Sequence, residues 1–388
     1  MSPLDVAVAR PHMAALSDEL TRGGAVRTPV WADAFATVPR HALVPRWYEP
    51  ETNEKGITVW RERHTDDEAS LAEIYRDETL VTALDPATAE QVDTNAWTGF
   101  ATSSSTQPSL MAGMLEDLDI QDGNRVLEIG TGTGYNAALL CARLGDSLVH
   151  SIDVNPDLVE TARRRLSDCG FAPQLLACDG TQGHPTVKGF ERIIATCSVP
   201  SIPWAWIYEL RPGGTLVADL NLGIEGGIVQ LTGRADAARG YFTKNAGRFM
   251  PARTDTLTYP RPERSERAPV TGSRATALVA YEIRSNYALR LVLAFQLPGT
   301  ELVYHVDDDG LALQLQRDDG SWARVPLVGD TRTVTYGGDG ELWKAAEAAW
   351  EWWQAAGRPE HDAFGYVREP KATYAWYRPD GTLWHLNG

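Results

Sequence analysis

The stretch Arg125 to Leu140, RVLEIGTGTGYNAALL, carries more information than any other in the chain. Val126-Leu127-Glu128-Ile129 reads as a buried strand. Gly130, Gly132 and Gly134 then make a tight turn into a helix that ends near Gly145, a residue suited to close it. A ligand packed against the backbone at a strand-to-helix turn leaves no room for Cβ atoms, and the helix N-terminus offers free N–H groups. A glycine-rich turn alone is a weak signal, so the neighbouring segments decide.

Ser147 to Ile152 reads as a second apolar strand closed by Asp153, 19 positions past Gly134. That is close to the spacing at which a Rossmann-type acid takes a ribose hydroxyl pair. Asn155-Pro156 opens a helix with an N-cap residue and proline in the first turn, apolar at Leu158, Val159, Ala162 and Leu166 and closed by Gly170. A third strand, Gln174 to Ala177, ends in Cys178-Asp179-Gly180, a second acid at the carboxyl end of a strand, where open α/β sheets bind ligands. An isolated aspartate more often caps a helix or turn than binds a ligand. The three features together favour the ligand.

The pattern is G-x-G-x-G behind an acid, Glu128, and not G-x-G-x-x-G. It resembles motif I of the class I S-adenosylmethionine-dependent methyltransferases. The resemblance implies that Gly130, Thr131, Gly132, Thr133 and Gly134, with Glu128 and Asn136, wrap the methionine part of the cofactor. It puts Asp153 and Val154 at the ribose, and Asp179 and Gly180 beside the adenine. Arg192 to Thr196 agrees as a fourth strand, and Leu210 to Val217 (LRPGGTLV) as helix end, turn and fifth strand. Thr196 is the last of the expected cofactor residues. The expected fold is α/β, a Rossmann-like doubly wound sheet with an N-terminal helical or loop region and a C-terminal α+β extension.

Further pieces resemble the protein L-isoaspartate O-methyltransferases: Ala34 to Pro45 (AFATVPRHALVP), Tyr75 to Leu80 (YRDETL), Thr102 to Met114 (TSSSTQPSLMAGM) and Asp179 to Gly183 (DGTQG). They stand in the family's order. Aligning the family's S-Q-P with Thr106-Gln107-Pro108 puts Thr106, with Ser105 and Ser104 beside it, where the family has a substrate-side hydroxyl. Thr here replaces Ser, and the serine run shifts the register by up to a residue. A polar loop with helix caps is the plainer reading of the same run. The implied reaction needs little from the protein. A carboxylate of pKa about 3.9 is ionised at neutral pH and attacks a sulfonium methyl group without a general base. His41 and His184 read as turn residues.

The chain has 388 residues, 43% hydrophobic and 23% charged, with Lys+Arg 36 against Asp+Glu 52 and a net charge of −16. A soluble globular protein is expected, and an acidic surface is a poor match for nucleic acid. Cys141, Cys169, Cys178 and Cys197 have no metal-ligand spacing and indicate neither a metal site nor a disulfide framework. With no secretory signal pattern and no membrane-length apolar run, a cytoplasmic protein is expected. Three regions differ in texture: a substrate-side region 1–120, a cofactor-binding core 121–250 and an accessory region 251–388, divided near PARTDTLTYPRPERSERAPVTGS (251–273). The run ETNEKGITVWRERHTDDEAS (51–70) reads as a loop. After residue 250, ALVAYEI, LRLVLAFQL, LALQLQR and WARVPLV read as strands, followed by a Trp-rich helix from Glu341 to Ala356. On that helix Trp343, Trp350 and Trp353 form a stripe, as core or as a peptide-binding face, and Trp352 points elsewhere and is expected to be exposed.

A minimal isoaspartate repair enzyme would be complete near residue 230. The remainder, and the segment Gly247 to Arg253 (GRFMPAR), resemble longer actinobacterial members acting in the maturation of graspetides and lanthipeptides. That resemblance implies methylation of an Asp side chain in a modified precursor peptide, with S-adenosylhomocysteine as by-product and the ester closing to an aspartimide. A general isoaspartyl repair enzyme is the alternative. A peptide-binding subunit that keeps the fold without catalysis is a third reading, opposed by the intact Gly130, Gly132, Gly134, Asp153 and Asp179. Oligomeric state is not legible.

Overall fold

The structure, a computed structural model, describes residues 6–53, 56–255, 267–307, 310–329 and 331–386. The chain packs into two compact units. One comprises Met1–Cys197, Ala205–Ala218 and Phe249–Pro260; the other Ser198–Trp204, Asp219–Arg248 and Arg261–Gly388. The three sequence regions do not map onto these units, because residues 219–248 pack with the C-terminal part and Phe249–Pro260 with the first unit. Residues 256–266 of the expected boundary lie outside the described residues.

The first unit is built on parallel strands. Gln174–Ala177, Val149–Asp153, Val126–Ile129 and Phe190–Val199 are neighbours in that order, with Leu210–Asn221 next, and the first four pair in parallel. All four residues of Val126–Ile129 are buried, as the continuous apolar run requires of a central parallel strand. The chain leaves this strand toward one neighbour, Val149–Asp153, and returns on its other side with Phe190–Val199. Gly130 therefore stands at the topological switch point, where open α/β sheets bind ligands. The helix Tyr135–Leu144 ends on Gly145 at φ 81°. Asn155 caps the helix Pro156–Asp168, its side chain accepting from Asp157 and Leu158 N–H, and Val159, Ala162 and Leu166 are buried while Leu158 is half-buried. The LRPGG segment forms no separate turn: the helix Trp204–Glu209 runs directly into the strand Leu210–Asn221.

The expected N-terminal helix-and-loop region is more than that. Helices Val6–Arg22, Pro29–Thr37, Arg40–Leu43 and Glu68–Ile74 accompany a six-stranded antiparallel sheet between Arg46 and Ser105. The supposed loop 51–70 contributes to the hairpin of Arg46–Thr52 and Thr58–His64. Its charges disguised it; facing strands carry them as cross-strand pairs, Arg61 with Glu51 at 2.7 Å and Arg63 with Glu49 at 2.9 Å. The edge strand of this sheet, Ala101–Ser105, leads through Thr106 and Gln107 into the helix Pro108–Asp117.

In the second unit LALQLQR and WARVP are strands (Gly310–Arg317 and Trp322–Pro326), but ALVAYEI and LRLVLAFQL are not. Ala280 to Ile283 of the first and Leu289 to Gln296 of the second fall in the helices Ala280–Ser285 and Tyr287–Gln296. The second is apolar nearly all round, with seven buried residues, and a short run of that kind shows no period that tells helix from strand. The helix Glu341–Ala355 matches its expected bounds to within a residue. Of the expected stripe, Trp343 and Trp353 are core, their Nε1 atoms donating to Thr276 Oγ1 and to the Pro359 carbonyl, and Trp350 is half-buried. Trp352 is not the exposed one. It packs edge-on against Trp384, with ring centroids 4.9 Å apart, and against Tyr377 at 5.3 Å. Among the described residues no helix is long and apolar enough to cross a membrane.

Candidate active site

Two adjoining cavities of the first unit open on the glycine turn. The larger is lined by Gly130 and Gly132, by Asp153, Val154, Gly180 and Thr196, and by Thr102, Ser103, Ser104 and Thr106 from the edge of the antiparallel sheet. Phe249 to Arg253, most of the GRFMPAR segment, completes its wall. The smaller lies behind it and is lined by Ser105, Thr106, Glu128, Thr131, Thr133, Tyr135 and Asn136. Of the fourteen residues expected from sequence, only Gly134 and Asp179 line neither cavity.

Each has a structural task. Gly134 lets the helix Pro156–Asp168 approach, since a Cβ there would stand 3.2–3.3 Å from Leu166 and Ala162. Asp179 caps the short turn Gly180–Gln182, its Oδ1 accepting from Thr181 N–H at 2.9 Å and Thr181 Oγ1 at 2.7 Å. The cavity wall beside it is formed by its neighbours Gly180 and Thr181.

Gly130 makes the cradle. Its φ of 103° is unfavourable for any residue with a side chain, and an added Cβ would lie 2.5 Å from Thr196 Oγ1. That hydroxyl donates to the Gly130 carbonyl at 2.8 Å and so locks the fourth strand to the turn. Asp153 closes the turn from the other side: Oδ2 accepts from Gly132 N–H at 3.0 Å and Oδ1 from Asn155 N–H at 3.0 Å. The carboxylate keeps lone pairs for a diol while holding the loop. Asp153→Ala is therefore expected to weaken S-adenosylhomocysteine binding in calorimetry by about tenfold or more. An unchanged affinity would remove Asp153 from the ribose role.

Glu128 is fully buried. It accepts from Ser151 Oγ at 2.5 Å and from Asn136 Nδ2 at 2.7 Å, and Ser151 Oγ lies 2.7 Å from Thr131 Oγ1. Burial pushes its pKa up to about 7, against the pull of Ser151 and Asn136. An unfolded glutamate ionises near about 4.3. Between that value and about 7 the folded chain holds a proton that the unfolded chain has lost, so stability falls as pH rises through this window. Glu128→Gln should flatten that part of the pH profile of the melting temperature; parallel wild-type and variant profiles would refute it.

Arg40 was passed over in the sequence although its motif was noticed. It is fully buried and donates to the carbonyls of Ile74, Arg76 and Glu78 at 2.9–3.0 Å and of Thr106 at 3.3 Å. Asp77, from the same YRDETL segment, accepts from Gln107 Nε2 at 3.1 Å and Ser109 N–H at 2.7 Å, and Thr79 Oγ1 accepts from Gln107 N–H at 3.1 Å. The two motifs thus brace the Thr106 turn. His41 and His184 are structural: Nδ1 of His41 lies 2.7 Å from Tyr75 Oη, and that of His184 accepts from Val187 N–H at 3.0 Å. The four cysteines are free thiols, and among the described residues no group of three or more His, Cys, Asp or Glu could hold a metal ion.

A parallel sheet with a glycine turn at its switch point and an acid closing the next strand is the fold of a class I methyltransferase. The turn also fits S-adenosylmethionine: Gly130 and Gly132 line the cavity without side chains, and the Asp153 carboxylate stands beside them. Residues 67–256, just under half of the chain, match the family model described as protein-L-isoaspartate(D-aspartate) O-methyltransferase. The protein-L-isoaspartate O-methyltransferase of Thermococcus onnurineus is 38% identical over 112 residues, 28% of this chain and 50% of that protein. That of Methanoculleus marisnigri is 43% identical over 114 residues, 29% and 51% of the two chains. The chain spans about half the length of the curated relatives it matches. A solved structure named protein-L-isoaspartate O-methyltransferase aligns with 94% of this chain and 98% of its own at 21% identity and a TM-score of 0.52, a likeness of fold. An alignment of that extent takes in the C-terminal region.

Proposed function

We propose that this protein is a carboxyl O-methyltransferase that transfers a methyl group from S-adenosylmethionine to an aspartyl or isoaspartyl side chain of a peptide. The observation that carries the reading is the meeting of Thr106, Ser104 and Ser103 with Gly130, Gly132 and Asp153 on one cavity. Hydroxyls that would face the acceptor and a turn that would face the cofactor share one space.

Bound S-adenosylmethionine would supply a methyl group activated by its sulfonium. Gly130 to Gly132 would receive its methionine part, Asp153 the ribose hydroxyls, and Val154, Gly180 and Thr181 the base. The Thr106 hydroxyl, on a turn braced by Arg40 and Asp77, would orient the acceptor carboxylate. Such a carboxylate, ionised above a pKa of about 3.9, needs no general base. Alignment and exclusion of water are the protein's contribution. Thr106→Ala should slow methyl transfer about tenfold or more while leaving S-adenosylhomocysteine affinity unchanged; full activity would move this role to Ser104 or the backbone.

For the substrate we propose a modified precursor peptide, supported by the likeness of GRFMPAR to the peptide-maturation group and by the place of Phe249–Arg253 on the cavity wall. There the ester carbonyl would be attacked by the amide nitrogen of the next residue, expelling methanol and leaving an aspartimide. The names of the relatives favour isoaspartyl repair instead. Mass spectrometry after incubation with S-adenosylmethionine decides. A methyl gain followed by net loss of water, on a constrained peptide alone, supports maturation. Methylation of a generic isoaspartyl peptide alone makes this a repair enzyme.

A further inference from the structure

The strands Ala238–Phe242, Phe364–Arg368, Thr373–Tyr377 and Leu383–Leu386 of the second unit are antiparallel neighbours in that order. Alternate residues of a strand point to opposite faces, and the register aligns the two sets. On one face Ala238, Phe242, Phe364, Tyr366, Ala375 and Tyr377 are buried. On the other stand Arg239, Tyr241, Tyr374, Trp376, Leu383 and His385. Tyr241 and Leu383 are 41% and 53% exposed, Arg239 and His385 are exposed, and Tyr374 and Trp376 are half-buried. Gly365 and Val367 complete that face, so within the four strands it carries no Asp or Glu. In a chain with Asp+Glu 52 against Lys+Arg 36, this face has the opposite sign.

Its side chains are interleaved. Trp376 lies over Gly365, where any Cβ would collide with its Nε1. Its ring centroid is 5.6 Å from that of Tyr241. The Arg239 guanidinium carbon stands 4.6 Å from the Trp376 centroid, and that of Arg378, which follows the third strand, 4.3 Å from the Tyr241 centroid. Two aromatic rings are thus flanked by two guanidinium groups. Neither arginine has an acid partner among the described residues. Arg239 makes no side-chain hydrogen bond or ion pair there, and Arg378 donates to the Asp362 carbonyl at 3.2 Å. Stacking occupies the faces of the guanidinium groups and leaves N–H edges free, and those edges match carboxylates.

We propose that this sheet face docks an acidic peptide segment, its carboxylates paired with Arg239 and Arg378 and an aromatic or aliphatic side chain laid against Tyr241, Trp376 and Leu383. Trp, Tyr and Arg carry most of the binding energy at protein interfaces, and exposed apolar side chains grouped on one face mark such a surface. Charge complementarity selects the occupant. Two guanidinium groups without acid partners suit a few carboxylates. A nucleic acid, whose affinity grows with the number of phosphates neutralised, would meet the repulsion of a chain of net charge −16. The proposal stands apart from the methyl-transfer reading, because none of these residues lines either cavity of the candidate active site.

Fluorescence anisotropy tests it with a labelled peptide of Glu-Glu-Tyr repeats, its Gln-Gln-Tyr and Glu-Glu-Ser counterparts, and a labelled oligodeoxythymidylate. The wild-type chain should bind the first about tenfold or more tighter than each of the others. Arg239→Glu, Arg378→Glu and Tyr241→Ala, all at exposed positions, should each weaken that binding about tenfold or more while keeping the wild-type melting temperature. Arg10→Glu, at an exposed position of the helix Val6–Arg22, should leave it unchanged. Equal binding of the three peptides, no peptide binding by the folded wild type, or undiminished binding by all three face variants overturns the proposal. Tighter binding of the oligonucleotide than of the acidic peptide overturns the peptide as occupant.

Discussion

Arg40→Met should destabilise the protein by about 3–5 kcal/mol in denaturant unfolding, the cost of leaving buried carbonyls without their common donor. Methionine retains much of the aliphatic stem but none of the donors. The carbonyls of Ile74, Arg76, Glu78 and Thr106 would lose their shared partner. Each buried carbonyl left unpaired costs roughly 1–3 kcal/mol, and the four relax together, so the sum overstates the loss. Against a typical stability of about 5–15 kcal/mol this is a large fraction. Arg40→Lys should recover only part of it, because one ammonium group cannot span four carbonyls arranged around a planar fork. A loss below about 1 kcal/mol for Arg40→Met would show that the segment 74–78 and the Thr106 turn hold themselves in place.

Gly130→Ala should reduce S-adenosylhomocysteine affinity on the order of ten- to hundredfold, through strain and loss of the cradle. The new methyl group would meet Thr196 Oγ1 at 2.5 Å on a backbone at φ 103°. Relief requires Thr196 to rotate away from the Gly130 carbonyl or the turn to move into the space a ligand would take. Gly145→Ala is the matched control: it also has a positive φ, 81°, but nothing within 4 Å of an added Cβ. It should cost about 1–3 kcal/mol of stability and leave binding alone. If both variants bind like the wild type, the turn is not the cofactor cradle.

Local chemistry accounts for what was legible beforehand. Val126–Ile129, Gln174–Ala177 and the helix starting at Pro156 were readable because a buried strand, a cap and a proline each leave their mark within a few residues. The glycine turn was readable because its backbone conformation excludes other residues. The hairpin within 46–64 was hidden because its charges face one another across strands, a pairing visible only after the chain has turned back. Arg40 was missed for a related reason. An arginine in a short motif looks solvent-exposed until four carbonyls from two distant segments surround it.

The sequence by itself determined the class of fold, the glycine turn and the acid that ends the next strand, since these depend on backbone conformation and on residues close together in the chain. Only the tertiary structure decided that Asp179 caps a turn, that Ser105 faces an inner cavity while Thr106 faces both, and that Trp352 is packed. Which way a side chain faces, and which charges stand opposite it, depends on segments far apart in the chain. At Arg40 and Thr106, 66 residues of chain separate one hydrogen-bond partner from the other.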